Sequence, residues 1–358
     1  MKDSDNVTIR GRHSDSTIRF GPVSGLSGLV DPERTVIVAD ELTSRFIPAG
    51  FSSDRLAVVE RGETAKSLAS LETLYTRFLE LGVGRDWTVI GIGGGSISDL
   101  AGFAASTWLR GIDFGFVPTT LLAMVDASVG GKNGIDFGGY KNLVGSFSQP
   151  RFVQVDTALL SGLPGHDLAC GLVEAIKHGW LDGEAHMALI ERVVSETGSI
   201  VLPALLPVIK GSITLKAAVV NADEREQGDR RKLNLGHTIG HGVEAATGLA
   251  HGACVAVGFA AALRFALERG NQVPDAPRVI RLLERLGLPV SLEGARRASR
   301  ETSEIPPVAF RDAVALAVGS DKKKLGDQVL FVMPLSLGTV RVEAVQIEDL
   351  RDFIRRTP

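Results

Sequence analysis

Three of the chain's seven histidines, His237, His241 and His251, fall within fifteen residues of the stretch "LNLGHTIGHGVEAATGLAHGACV", which begins at Leu233. Imidazoles at this density suit divalent metal binding or acid–base and anion contacts. His237 and His241 form an HxxxH pair without the glutamate of HExxH, which argues against a zinc protease. A catalytic zinc takes three protein ligands and an open position, and His251 could add a ligand from the start of a following helix. A carboxylate would complete the set. Glu174 in "CGLVEAIKHG" is the best candidate, in a segment otherwise apolar apart from Lys177 at i+3 and His178. If 230–244 were one helix, Arg230, Asn234, His237 and His241 would share a stripe within about 40° of Arg230. On a helix rich in small and apolar residues, such a stripe reads either as a pocket lining or as a polar face turned to solvent.

A second centre of interest is "TVIGIGGGSISDLAGFAAST". It reads as strand, glycine turn and helix, an arrangement that brings backbone N–H groups and a helix N-terminus to a phosphate. It departs from GxGxxG, and "VGGKNG" around Lys132 is no Walker A loop. The alternative is a plain tight turn with Asp99 in the first helical turn. The segment that follows is dense in glycine and carries Asp126, Lys132, Lys141 and Asn142, either an anion cradle or a solvated loop. Arg110 in "WLRG" closes a helix, where a cation is favourable in any case.

The elements needed to position these groups follow from periodicity. Short β-branched runs at 35–40, 55–60, 87–93 and 114–120 predict strands, with an amphipathic helix from Leu68 to the glycine stop at Gly82. Strand–helix alternation implies a parallel sheet covered by helices. From about Gly165 the pattern turns helical, over 167–180, 184–197, 203–222, 236–248, 252–269, 275–286, 308–317 and 346–356, with a strand at 328–335. The expected fold class is therefore α/β plus all-α. A Rossmann-like domain spans 1–163 and a mostly helical domain spans 164–358, divided near "SGLPGHD". A length of 358 residues suits two domains. A formal net charge of −3 gives no reason to expect nucleic acid or an anionic membrane as partner. Two cysteines, a polar N-terminus and the lack of an uninterrupted apolar stretch point to a cytoplasmic setting without a membrane span.

Six blocks in order, "GGGSISDLAGFAASTWLRG", "VPTTLLAMVDASVGGKNGID", "KNLVGSFSQP", "GLVEAIKHG", "DEREQGDRRKLNLGHTIGHGVE" and "SDKKKLG", resemble 3-dehydroquinate synthase and its sugar phosphate cyclase relatives. The resemblance runs from about Glu63 to Lys324. It implies an NAD-binding domain, a metal-binding helical domain, and one divalent metal, zinc or cobalt, held by Glu174, His237 and His251. It assigns NAD contacts to Glu63, Lys66, Gly94, Gly95, Asp99, Thr119, Thr120 and Lys141, with Asp40 on the adenosine ribose. It assigns substrate contacts to Asp126, Lys132, Asn142, Lys177, Lys216, Arg230 and Asn234, with Lys322 or Lys323 from "DKKK", and a substrate-phosphate contact to His241. Arg110 would reach the neighbouring subunit's site, which implies a homodimer. The implied substrate is a heptulosonate phosphate. Relatives acting on sedoheptulose 7-phosphate or an amino analogue, and a non-catalytic NAD-binding paralogue, are the alternative readings. The chain departs from the family pattern at Ala253, where glutamate is usual, at His178 and at Gly162. Its link from His237 to His251 is also shorter by about two residues.

Overall fold

The computed structural model describes residues 6–318 and 324–357. The chain divides into two compact units, one running to Leu163 and including Ile209–Glu226, the other comprising Pro164–Val208 and the chain from Gln227 onward. The division at Leu163/Pro164 falls where glycine and proline cluster. The segment Ile209–Glu226, expected in the helical domain, packs instead with the first unit and takes Lys216 with it.

The first unit is built on a seven-stranded sheet of order β1-β2-β9-β6-β5-β3-β4, with β1 Val7–Ile9, β2 Ser16–Phe20, β3 Thr35–Ala39, β4 Leu56–Val58, β5 Thr88–Gly93, β6 Asp113–Pro118 and β9 Phe152–Val155. β1 pairs antiparallel with β2, and every other pairing in this sheet is parallel. The central strands β3 and β5 are buried at every position, as expected of strands covered on both faces. Helices α1 (Leu68–Glu80) and α2 (Gly95–Thr107) belong to this unit. Ser67 caps α1 by accepting from the Ser70 amide at 3.1 Å. β7 (Lys132–Phe137) and β8 (Tyr140–Phe147) form a separate antiparallel hairpin where the sequence suggested only a glycine-rich loop.

The second unit is mostly helical: α3 (Gly165–Asp182), α4 (Glu184–Val193), the start of α5 (Leu205–Ala222), α6 (His237–Thr247), α7 (His251–Glu268), α8 (Ala276–Arg285), α9 (Leu292–Ala298), α10 (Pro307–Val318) and α11 (Ile347–Arg356). A three-stranded sheet of β10 (Lys324–Leu325), β11 (Gln328–Ser336) and β12 (Thr339–Gln346) completes it. α5 and α7 are long and apolar enough to cross a membrane by composition, but α7 is buried along nearly its whole length and serves as the core helix. Residues 230–244 are not one helix. Arg230 and Asn234 lie on a 3-10 turn, Asp229–Asn234, and Gly236 then adopts φ 79° before α6 starts at His237. The left-handed glycine breaks the stripe, because Arg230 and Asn234 no longer follow the helical phase of His237 and His241.

Candidate active site

In the first unit, Ala39 stands opposite Ile92 and Gly93 opposite Pro118, so the carboxyl ends of β3, β5 and β6 lie side by side. The chain order reverses between β3 and β5. The crevice beyond the strand ends at such a reversal is where open α/β sheets bind ligands. Asp40, Gly94, Gly95, Thr119 and Thr120 all follow directly on these ends. The turn needs glycine: a Cβ at Gly93 would stand 2.5 Å from Ile97 Cγ1. α2 begins after Gly94 with no side-chain cap, which leaves its first N–H groups and dipole for an anion. Asp40 is buried and turned back on its own loop, its Oδ1 accepting from the amides of Leu42 and Thr43 at 2.9 and 2.8 Å. Thr120 Oγ1 likewise accepts from the Ala123 amide at 3.2 Å.

Lys66 organises the next layer. It is 4% exposed, and its Nζ lies 2.8 Å from Asp99 Oδ2 and 3.5 Å from Glu63 Oε1, and is hydrogen-bonded to Asn142 Oδ1. Burial lowers the Lys66 amine, but Asp99, Glu63 and Asp136 outweigh it and hold it above its ordinary value. Burial pushes Asp99 up to about 6 against the pull of Lys66. Asn142, expected among the substrate contacts, has φ 51° and donates its amide to Asp136 at 2.8 Å, so it belongs here to the Lys66 cluster. Lys141 Nζ is 3.7 Å from Glu63 Oε1. A shallow, open recess of about 390 Å³ lies beside Glu63, Lys66 and Asp136.

The raised Asp99 carboxyl has a consequence for stability. The folded state binds this proton more tightly than the unfolded chain, where the ordinary value is 3.8. Its contribution therefore favours folding at low pH and is lost as pH rises from about 4 towards about 6. Urea midpoints should show this decline in the wild type and lack it in Asp99→Asn; parallel pH curves would refute the assignment.

Two further ion pairs lie in the first unit. Lys216 Nζ is 2.5 Å from Asp126 Oδ1 and donates to the Asp126 carbonyl at 2.6 Å. Lys132 pairs with Glu226. Sequence reasoning passed over Glu226 because it sits in a charge run that reads as a solvated turn. Arg110 is exposed on a corner where Leu109, Arg110 and Gly111 have φ of 50°, 70° and 115°. Gly162 leaves space that Arg45 borders, its Nη2 lying 3.2 Å from where a Cβ would be.

In the second unit, three helices bring Glu174, His237 and His251 together. Glu174 and Lys177 face inward from α3, one 0% and the other 1% exposed, and pair with each other. His237 opens α6 and His251 opens α7, and a three-residue turn joins the two helices. Close backbone approach makes this possible. Added Cβ atoms would stand 2.0 Å from the Gly236 carbonyl oxygen at Gly258, and 2.1 Å from that of Cys170 at Gly252. Glu174 Oε1 lies 3.6 Å from both His237 Nε2 and His251 Nε2. That is beyond hydrogen-bond reach, and the buried Oε1 accepts no hydrogen bond. Donors about 2.0–2.2 Å from a tetrahedral zinc lie roughly 3.3–3.5 Å apart, close to the two Glu174–histidine separations, and all three donor atoms lie within 4.8 Å of one another. An orphaned carboxylate oxygen flanked by two imidazole nitrogens is what a cation would satisfy.

Burial and the neighbouring Lys177 hold the His237 imidazole well below its ordinary value. Glu174 stays well below the carboxylate range despite burial, because Lys177 and the two histidines favour its charge. Burial opposes charge on His251, but Glu174 and Glu244 outweigh it and push the imidazole up to about 10. His241 stands beside the triad, its ring centroid 5.4 Å from that of His237 and 6.0 Å from that of His251. Arg230 is buried and Asn234 half-buried on the turn before α6. Lys322 and Lys323 lie outside the described residues.

A parallel-sheet unit and a mostly helical unit that carries two histidines and a carboxylate able to hold a metal ion together make the fold of the sugar phosphate cyclases. Residues 56–170 match the family model for the 3-dehydroquinate synthase N-terminal domain and residues 171–315 that for its C-terminal domain. The chain belongs to the 3-dehydroquinate synthase family. Its relatives include the 3-dehydroquinate synthase of Caulobacter vibrioides, 40% identical over 304 residues, covering 84% of this chain and 80% of that one. The fold matches a 2-deoxy-scyllo-inosose synthase solved with carbaglucose-6-phosphate, NAD+ and Co2+ (TM-score 0.84, 23% identity, 99% and 100% of the two chains). It also matches a 2-epi-5-epi-valiolone synthase from Streptomyces hygroscopicus solved with NAD+ and Zn2+ (TM-score 0.77, 23% identity, 97% of each chain).

Proposed function

We propose that the chain is an NAD- and metal-dependent phosphate-eliminating lyase that converts 3-deoxy-D-arabino-heptulosonate 7-phosphate to 3-dehydroquinate and phosphate. The observation that carries this is the buried Glu174 oxygen set between two imidazole nitrogens in a chain that matches both domains of the family. When bound, NAD would supply reversible hydride transfer and a divalent metal would supply Lewis-acid polarisation of a substrate hydroxyl. The chain's own residues do the rest. The Lys66 cluster and the uncapped start of α2 hold the dinucleotide, with Glu63, Gly94, Gly95, Asp99, Thr119, Thr120 and Lys141 around it. Glu174, His237 and His251 would ligate the metal, with Lys177 balancing the glutamate charge. Asp126, Lys132, Lys216, Arg230 and Asn234 bind the keto acid, and His241 its phosphate. The cations Lys132, Lys216 and Arg230 neutralise the carboxylate and the phosphate as the latter leaves. Lys216 and Lys132 are held ready by their carboxylate partners Asp126 and Glu226. The active form is a homodimer in which the exposed Arg110 reaches the neighbouring subunit's site.

His251→Ala is expected to abolish stoichiometric metal and metal-dependent phosphate release; unchanged turnover would remove His251 from the ligand set. Presenting the heptulosonate phosphate and sedoheptulose 7-phosphate in parallel tests the substrate. Release from the acid alone is expected, because the buried Arg230 suits a substrate carboxylate. Preference for sedoheptulose 7-phosphate would make the chain a secondary-metabolic cyclase instead.

A further inference from the structure

His251 is gripped at both ring nitrogens. Its Nε2 faces Glu174 Oε1 at 3.6 Å, and its Nδ1 lies 3.2 Å from Glu244 Oε2. Glu244 is on α6 and 8% exposed. On that helix His237, His241 and Glu244 follow at i, i+4 and i+7, so they share one face. α7 offers no acceptor of its own two residues beyond His251, where Ala253 is buried in the apolar core. The carboxylate arrives from the preceding helix because the turn of 248–250 is short and folds α6 back along α7. His237 is held in the same sense but by a different group: its Nδ1 lies 3.1 Å from the Leu235 carbonyl oxygen. Both imidazoles are thus fixed through Nδ1 and present Nε2 to one oxygen of Glu174. One is fixed by a neutral carbonyl and the other by a charge.

We infer that Glu244 is a positioning residue for the metal site, holding His251 through Nδ1 so that Nε2 points at the ion. This rests on the metal reading given above. A carboxylate behind a ligating histidine fixes its tautomer and ring plane and raises its basicity. It also counters charge, since Lys177 already offsets Glu174 and leaves a divalent ion with little nearby compensation. The competing arrangement makes Glu244 itself a ligand, with His241 and His251, whose donor atoms come within 4.8 Å of one another. The hydrogen-bonding pattern favours the positioning role. Glu244 Oε2 already has the His251 ring as partner, whereas Glu174 Oε1 accepts no hydrogen bond.

The test measures Co2+ affinity by chelator competition, with the visible ligand-field spectrum of the bound ion, for wild type, Glu244→Ala and Glu244→Gln. Glu244→Ala is expected to bind about 10–100-fold more weakly, with a shifted spectrum. Glu244→Gln keeps an oxygen for the Nδ1–H and is expected to recover to within about fivefold of wild type with the wild-type spectrum. Equal affinity and spectrum in Glu244→Ala would overturn the inference while leaving the metal reading intact. Loss in Glu244→Gln as deep as in Glu244→Ala would make Glu244 a ligand and overturn it differently. A wild-type protein that takes up no Co2+ would sink the metal reading itself, and the inference with it. Metal-free melting curves identify a variant that fails to fold, in which case the other variant decides.

Discussion

Glu174→Ala is expected to lose bound metal and phosphate release together, and to destabilise the fold by about 3–5 kcal/mol. The two losses have different physical origins. The first follows from removing the carboxylate oxygen 3.6 Å from both histidine nitrogens. The second follows from Lys177, which is 1% exposed and would lose the carboxylate it pairs with. Taking away one member of a buried pair costs far more than the intact pair contributes, because a desolvated charge is left behind. The double variant Glu174→Ala/Lys177→Met should therefore recover most of the stability without recovering metal. Denaturant titrations and metal analysis of the three proteins separate the effects. A stable single variant, or one that keeps one equivalent of metal, would break the assignment of Glu174.

Gly252→Ala is the second large effect. Its Cβ would stand 2.1 Å from the Cys170 carbonyl oxygen and 2.6 Å from the carbonyl carbon, both backbone atoms that cannot rotate away. α3 and α7 must then separate, at an expected cost of about 3 kcal/mol or more. Cys170 lies one turn before Glu174, and Gly252 follows His251 directly. The same shift would pull ligands from two helices apart, so metal affinity should fall with stability. Gly165→Ala is the control: nothing lies within 4 Å of its Cβ position and its φ is not in the left-handed range. Equal melting temperatures for the two variants would refute the close-approach argument.

The sequence was most legible where one strong signal dominated. β3 and β5 read as apolar runs because both faces are buried, and α1 read from its periodicity and the glycine stop at Gly82. The helices carrying Glu174, His237 and His251 were legible because small and apolar residues surround a few polar ones. β1 and β2 escaped because they are three and five residues long and polar at alternate positions. The β7–β8 hairpin escaped because its glycines suggested a loop. Gly138 and Gly139, with φ of 59° and 79°, are in fact the two-residue turn that hairpins favour. The Arg230–His241 stripe failed at Gly236, whose left-handed backbone no periodicity count anticipates. Glu244 left a faint signal, seven residues after His237 on the same face, but its link to His251 depends on the turn between α6 and α7.

The proposed reaction releases phosphate from a heptulosonate phosphate with NAD and a metal that Glu174, His237 and His251 would hold. The direct measurement strips the protein with a chelator and follows phosphate from 3-deoxy-D-arabino-heptulosonate 7-phosphate with catalytic NAD, before and after adding one equivalent of Zn2+ or Co2+. No release is expected from the stripped protein, and restored release with 3-dehydroquinate formed in equal amount once metal is added. Release that is indifferent to metal, or none with both metal and NAD supplied, would contradict it.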